Sequence, residues 1–285
     1  MNIINAIINL INAASVNITT VTEGNNRANN MGEGLENYVR DLFADSFSEA
    51  NPNNKKVKLN HAFSFLGSKN FSPDGMLRCG DAIEIKKIES KTSDIALNSS
   101  YPKQKLKRSD HRVAKACKNA RGDSDWIERD IIYVVGYVPK NTNTLKVLGM
   151  VYGTEYCAAS DLYESIFNTV KDKIAEIPEF EFTDSEELAH MKGIDPLERT
   201  YWRARAMWGI KNPWRAFNDV YHYDDSKEFS FMCIINNEKW LSFTNTEELI
   251  ELSQSDDRLT ISDIQVPNPD NAADLIDAKL ISFSY

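Results

Sequence analysis

Isoleucine stands at positions 3, 4, 7, 8 and 11, with asparagine and alanine between. That spacing lines one apolar stripe along a helix, so the opening segment reads as an amphipathic helix packed on the body. It lacks the basic leader of an export signal, and no apolar run approaches the length needed to cross a bilayer. Residues 24–30 read as a polar loop, and Leu35, Val39, Leu42 and Phe43 mark the apolar face of a helix over residues 32–44. A strand is expected over residues 56–66. Residues 71–78 and 81–89 read as a hairpin, with Asp74-Gly75 as a turn pair that returns the chain. Residues 130–138 are nearly all apolar, as in a central strand buried on both faces. A turn at 139–143 leads to a strand over 145–152, and a helix follows over 160–177. Further strands are expected near 229–236 and 239–244, with an apolar C-terminal piece ending at Leu280-Ile281-Ser282-Phe283. Helix, strand meander and helix together indicate a mixed α/β fold. Without internal repeats or a long linker, residues 1–285 read as one domain. Its core covers about 31–177, and a lobe over about 190–285 grows from its C-terminal half.

Composition removes several chemistries. The 285 residues, 42% hydrophobic and 26% charged, are those of an ordinary globular protein able to bury a large core. Cys79, Cys117, Cys157 and Cys233 form no C-x-x-C pair, and His61, His111, His190 and His222 are equally dispersed. Zinc ribbons, disulfide frameworks, zinc hydrolases and nucleases built on a histidine–metal finger are therefore disfavoured. The cytoplasm is the expected compartment. Net charge is −9, but its distribution matters more than its sum. Residues 101–121 carry a local +7 and residues 199–217 a local +5, leaving −21 elsewhere, concentrated at 179–187 and 247–257. A chain so polarised can bind DNA on one face and stay soluble through the other.

The densest candidate chemistry is Pro73-Asp74-Gly75 followed by Glu84-Ile85-Lys86, the latter inside the apolar run 82–88. Period-2 geometry places Glu84 and Lys86 on one face of that strand, with Ile83 and Ile85 on the other. If Asp74 returns beside Glu84, two hard carboxylate ligands suit Mg²⁺, which uses one or two protein carboxylates and substrate phosphate. Lys86 would then orient the attacking water and offset charge developing on the phosphoryl oxygens. An acid-x-Lys triplet alone is weak, since Glu89-Ser90-Lys91, Asp225-Ser226-Lys227 and Asp277-Ala278-Lys279 share it. Only the first lies in a β-branched apolar run behind a Pro-Asp pair. Glu36, beside the apolar face of its helix, is either a third acid near the metal or a solvated flank residue. Asn98, Ser99, Ser100 and Lys103 belong to a polar, basic loop able to hold phosphates or reach base edges; the plain alternative is an ordinary loop. Arg203, Arg205, Lys211 and Arg215 interleave with Trp202, Met207, Trp208 and Trp214, so that indoles pack while some guanidinium groups face DNA.

These strings resemble type II restriction endonucleases of the PD-(D/E)XK superfamily, and within it the NgoPII group. The resemblance is carried by Asn25-Asn26-Arg27-Ala28-Asn29, Met31-Gly32, Leu35-Glu36, Pro73-Asp74, residues 81–89, residues 97–103 and residues 207–213. The resemblance implies a mixed-sheet nuclease core flanked by helices and a homodimer cutting double-stranded DNA at a short palindrome. It also implies Mg²⁺ as cofactor and the group's association with GGCC. Asp74 and Glu84 would be the metal ligands, Lys86 the water-positioning residue, and Glu36 the acid supplied by the first core helix. A cognate DNA methyltransferase is expected in the same system, though not as a bound subunit. Two other readings compete: a structure-specific or repair nuclease on the same core, and a non-catalytic DNA-binding protein.

Overall fold

The computed structural model of the chain describes residues 1–13, 16–18, 27–67, 72–177, 181–182 and 187–285, with the side chains of 27–31 and 181–182 outside the description. Expectations for residues 24–26, for position 71 and for most of the acidic run at 179–187 fall outside it. The helices are α1 (Ile3–Ala13), α2 (Arg27–Ala44), α3 (Pro52–Ala62), α4 (Lys115–Lys118), α5 (Gly153–Tyr156), α6 (Ser160–Ala175), α7 (Pro213–Ala216), α8 (Asn237–Ser242) and α9 (Thr246–Ser255). The first eight strands are β1 (Phe63–Leu66), β2 (Gly75–Leu77), β3 (Ala82–Ile88), β4 (Ile95–Asn98), β5 (Lys105–Lys107), β6 (Glu128–Tyr137), β7 (Val147–Tyr152) and β8 (Glu181–Phe182). They are followed by β9 (Ala189–Lys192), β10 (Tyr201–Ala204), β11 (Trp208–Ile210), β12 (Ser230–Asn236), β13 (Leu259–Asn268) and β14 (Asn271–Ser284).

Among the described residues, nine strands form one mixed sheet in the order β1-β2-β3-β6-β7-β12-β14-β13, with β5 pairing an extension of β6. β3 runs parallel to β6 in the register Glu84↔Tyr133 and Lys86↔Val135, and β7 runs parallel to β12. Alternate residues of β6 enter opposite cores, Ile132 and Val134 on one face and Ile131, Tyr133 and Val135 on the other. That two-sided burial is why the run is apolar without a polar phase. The first core gathers α1 and α2 over Ile83 and Ile85; the second gathers β4, β5 and Trp214 and Phe217 around α7. In α1 every isoleucine is buried. Asn2 and Asn5 cap its start reciprocally, each side chain accepting from the other's backbone N–H at 3.2 and 3.0 Å.

Several elements differ from the sequence expectation. Residues 56–62 are helical, because Asn51 caps α3 by accepting from Asn53 N at 2.9 Å and Pro52 occupies its first turn. The alternation of Val57 and Leu59 with lysines only imitates a strand, and Val57 is 67% exposed. Residues 27–30 belong to α2 instead of a loop. Residues 237–242 form α8 instead of a strand, started by the Asn236 side chain accepting from Lys239 N at 2.7 Å. Within the polar stretch after β3, β4 pairs with β11, which brings residues 95–98 against 208–210. The chain does not reverse at Asp74-Gly75: Gly75 begins β2, and the reversal lies at residues 78–80. The C-terminal strands β12, β14 and β13 extend the main sheet beyond β7.

Candidate active site

The β2–β3 hairpin and the strand pairing next to it bring Asp74, Glu84 and Lys86 together. Gly67, just after β1, donates its N–H to the Asp74 carbonyl at 2.9 Å. A side chain at Gly67 would run into the Pro73 carbonyl oxygen, so only glycine permits this approach. Asp74 Oδ2 accepts from the Ile85 N–H at 2.7 Å, pinning the carboxylate beside β3. Lys86 Nζ lies 2.6 Å from Glu84 Oε1 and 3.8 Å from Asp74 Oδ2. Glu84 Oε2 accepts from the Ser72 hydroxyl at 3.1 Å. The expected convergence of two acids and a lysine on one strand face is therefore present. Sequence reasoning missed Ser72; its position directly before Pro73-Asp74 was the available signal.

The charges are unevenly settled. Burial, then the Glu84 carboxylate, push the Asp74 carboxyl up to about 7 against the opposing pull of Lys86 and the Ile85 N–H. Burial would also raise Glu84, but Lys86, Lys103 and the Ser72 hydroxyl outweigh it and hold Glu84 below its ordinary value. Burial disfavours the Lys86 ammonium, yet the two carboxylates and Glu36 raise its pKa. One lysine thus serves two acids, and the cost of a second negative charge falls on Asp74, which resists ionisation. Glu36 on α2 is near enough to act on both Asp74 and Lys86, while its own Oε2 is held by Arg40 at 3.0 Å.

The expected DNA-contact residues fall into two places. At the end of β4, Asn98 and the following Ser99 are exposed, and Asn98 adopts a left-handed φ of 53°. Lys103 is only 5% exposed and donates to Ser100 Oγ at 2.5 Å. Burial lowers its pKa, opposed by Asp110 and Glu84. On the small sheet of β8, β9 and β10, Arg203 and Arg205 both bind Glu187, with Arg203 Nε at 2.7 Å and Arg205 Nε at 2.6 Å. Arg215 reaches Asp94 Oδ1 at 2.6 Å, and Lys211 is exposed. Trp214 is buried with its indole N–H on the Lys91 carbonyl at 2.8 Å, whereas Trp202 is 42% and Met207 67% exposed. Of the indoles expected to pack, Trp214 does and Trp202 does not, and carboxylates occupy three of the segment's four cations. The pairing of Arg203 and Arg205 with Glu187 had no signal in local spacing, because the three residues meet only through the β9–β10 pairing.

With this geometry in place, comparison with known proteins decides the family. A model of the family described as NgoPII restriction endonuclease matches residues 1–267. The type II restriction enzyme NgoPII of Neisseria gonorrhoeae is 50% identical over 283 residues, 99% of each chain. The chain belongs to the NgoPII restriction endonuclease family. Membership makes it a type II site-specific deoxyribonuclease. No solved structure matches the chain.

Family enzymes act on charged phosphodiesters, and the donor set at the site suits a hard divalent cation: carboxylate oxygens, no thiolate and no imidazole. Among the described residues, no three histidine, cysteine, aspartate or glutamate side chains are gathered closely enough to hold a metal. The site's two converging carboxylates, Asp74 and Glu84, could hold such a cation, which would relieve the repulsion from Glu84 that helps raise the Asp74 pKa. No helix among the described residues is long and apolar enough to cross a membrane.

Proposed function

We propose that the protein hydrolyses double-stranded DNA at a short palindrome, GGCC, as a Mg²⁺-dependent homodimer in the cytoplasm, beside a methyltransferase that protects the same site. The observation that carries the reading is the junction of Asp74, Glu84 and Lys86, with Lys86 Nζ 2.6 Å from one carboxylate and 3.8 Å from the other. Asp74 and Glu84 would hold Mg²⁺, which supplies Lewis-acid polarisation of the scissile phosphate and activation of water. The Ile85 N–H and the Ser72 hydroxyl fix the two carboxylates, so that neither has to reorganise as charge develops. Lys86 presents an ammonium in a partly desolvated setting, where it can hold the attacking water in line and offset charge on the phosphoryl oxygens. Water oxygen bonds to phosphorus and gives up a proton to solvent, one P–O ester bond breaks, and the departing alkoxide takes up a proton from solvent, so that one water is consumed per bond cut. A two-fold dimer presents the same contacts to both half-sites, which is the physical basis of palindromy.

Digestion of DNA of known sequence tests this reading. Mg²⁺ should give discrete fragments with ends mapping to GGCC, and EDTA should abolish them. Asp74→Ala and Lys86→Ala should each lose at least 10²-fold in cutting rate, in the range of a removed electrostatic group, while still binding the duplex. Discrete fragments with ends elsewhere would correct the site alone. Normal cutting by either variant would remove the catalytic assignment.

A further inference from the structure

Outside the carboxylate–lysine centre, the most strongly built feature is a cleft of about 630 Å³ between the segment 101–112 and helix α6. Five cations line it, Lys103, Lys105, Lys107, Arg112 and Lys171, against the two carboxylates of Asp110 and Glu164. Both acids are already engaged: Glu164 accepts from the Tyr101 hydroxyl at 2.5 Å, and Asp110 from the Arg112 backbone N–H at 2.9 Å. Lys105 is spent on Glu128 and Asp130 at 3.2 and 3.6 Å. Three cations have weaker claims on them. Among the described residues, Lys107 donates to the neutral Ser160 hydroxyl alone, at 3.0 Å. Lys171 has no ion pair among the described residues. Arg112 lies with its guanidinium 4.6 Å over the Tyr101 ring, and its buried Nη1 has no hydrogen-bond partner among the described residues. A buried guanidinium N–H aimed at no acceptor is a donor waiting for an anion.

The cleft is coupled to the catalytic centre through the backbone. Val113, next to Arg112, bridges Ser72 in parallel, and Ser72 is the residue whose hydroxyl holds Glu84. Lys103, at the floor, is close enough to Glu84 to help keep it ionised. The cleft's volume of about 630 Å³ is on the scale of a short stretch of one strand's sugar–phosphate backbone.

We propose that this cleft is a backbone-phosphate subsite, in which Lys107, Arg112 and Lys171 hold phosphates adjoining the scissile one on the strand being cut. The inference rests on reading the protein as a DNA endonuclease. It assigns Lys107, Arg112 and Lys171 to sequence-independent positioning, and leaves base reading to other residues.

The test compares wild type with Lys107→Ala/Lys171→Ala, with Arg112→Lys (which keeps the charge over Tyr101), and with Lys140→Ala as an exposed cation outside the cleft. Binding to GGCC-containing and GGCC-free duplexes is measured in EDTA over a salt series, and cleavage with Mg²⁺ is measured separately. The double variant should bind both duplexes about tenfold or more weakly at low salt. Two lost phosphate contacts should also make its log K against log salt slope shallower by about 1.8. KM should rise with kcat nearly unchanged. Arg112→Lys should keep the slope and lose affinity, because a point charge replaces a fork. If affinity and slope match those of Lys140→Ala, the subsite is wrong. Loss on the GGCC duplex alone would equally overturn it, since that is base reading. A wild type that cuts no DNA with any divalent metal would sink the nuclease reading, and the salt slopes would still decide the cleft.

Discussion

Asp74 is held close to a charge state it resists. Its carboxyl is pushed up to about 7 by burial and by Glu84, so the folded protein binds a proton that the unfolded chain has released. For an acid with a raised folded pKa, that proton makes folding less favourable as pH rises from about 4 to about 7. The penalty is fully present above about 7 and absent below about 4. Asp74→Asn removes the titration and keeps the shape. Thermal melts in EDTA should therefore show the variant more stable than wild type at pH 8, by on the order of 2 kcal/mol, with the gain shrinking toward pH 5. Equal melting of the two proteins at pH 8 would mean that the site carries no stored electrostatic cost. The same variant should not cut DNA. Such opposition of stability and activity belongs at a site that must receive a cation and an anionic substrate.

At the scale of elements, helix α8 shows how charge, instead of apolar contact, can tie distant segments together. Lys239 binds Asp81 and Asp130, each at 2.6 Å, and Asp81 also accepts from the Tyr152 hydroxyl at 2.8 Å. One ammonium thereby clamps α8 to the starts of β3 and β6, the strand that carries Glu84 and Lys86 and its parallel neighbour. Lys239→Ala would leave buried Asp81 with the Tyr152 hydroxyl but no ion pair among the described residues, and Asp130 with the longer Lys105 pair at 3.6 Å; it should cost about 3 kcal/mol in urea unfolding. A change within ±0.5 kcal/mol would show the pairs to be solvent-screened. On the β9–β10 sheet the acid is the lone member: Glu187 holds Arg203 and Arg205, and their hydrogen bonds keep its carboxyl far below the usual range. Glu187→Ala should release both guanidinium groups. Non-specific DNA affinity at low salt should then rise about tenfold and become more salt-dependent. Unchanged affinity would place those arginines off the DNA.

For the molecule as a whole, a chain of net charge −9 binds a polyanion only if its cations are gathered on one side. Residues 101–112 of the first basic stretch line the cleft beside α6, and Trp208 of the second packs edge-on against Tyr101 of the first. The two stretches, nearly a hundred residues apart in sequence, are thereby joined. A palindromic site calls for a two-fold assembly, so sedimentation should return about twice the 32.4 kDa chain mass. A monomer, with or without cognate duplex, would remove that argument.

Much of this was legible in sequence because it depends on local periodicity. The isoleucine spacing of α1, the two-sided burial of β6 and the shared face of Glu84 and Lys86 follow from repeat distances of 3.6 and 2 residues. Short elements were misread where capping opposed pattern, as at Asn51-Pro52 and Asn236, because a few apolar residues fit either period. What tertiary structure alone decided were meetings across long sequence separations: Asp74 on the Ile85 N–H, Ser72 beside Val113, Glu187 between two arginines, and β12 next to β7. Electrostatics followed the same division. Residue types name the possible charges, but which carboxylate resists ionisation depends on burial and on the neighbours the fold assembles.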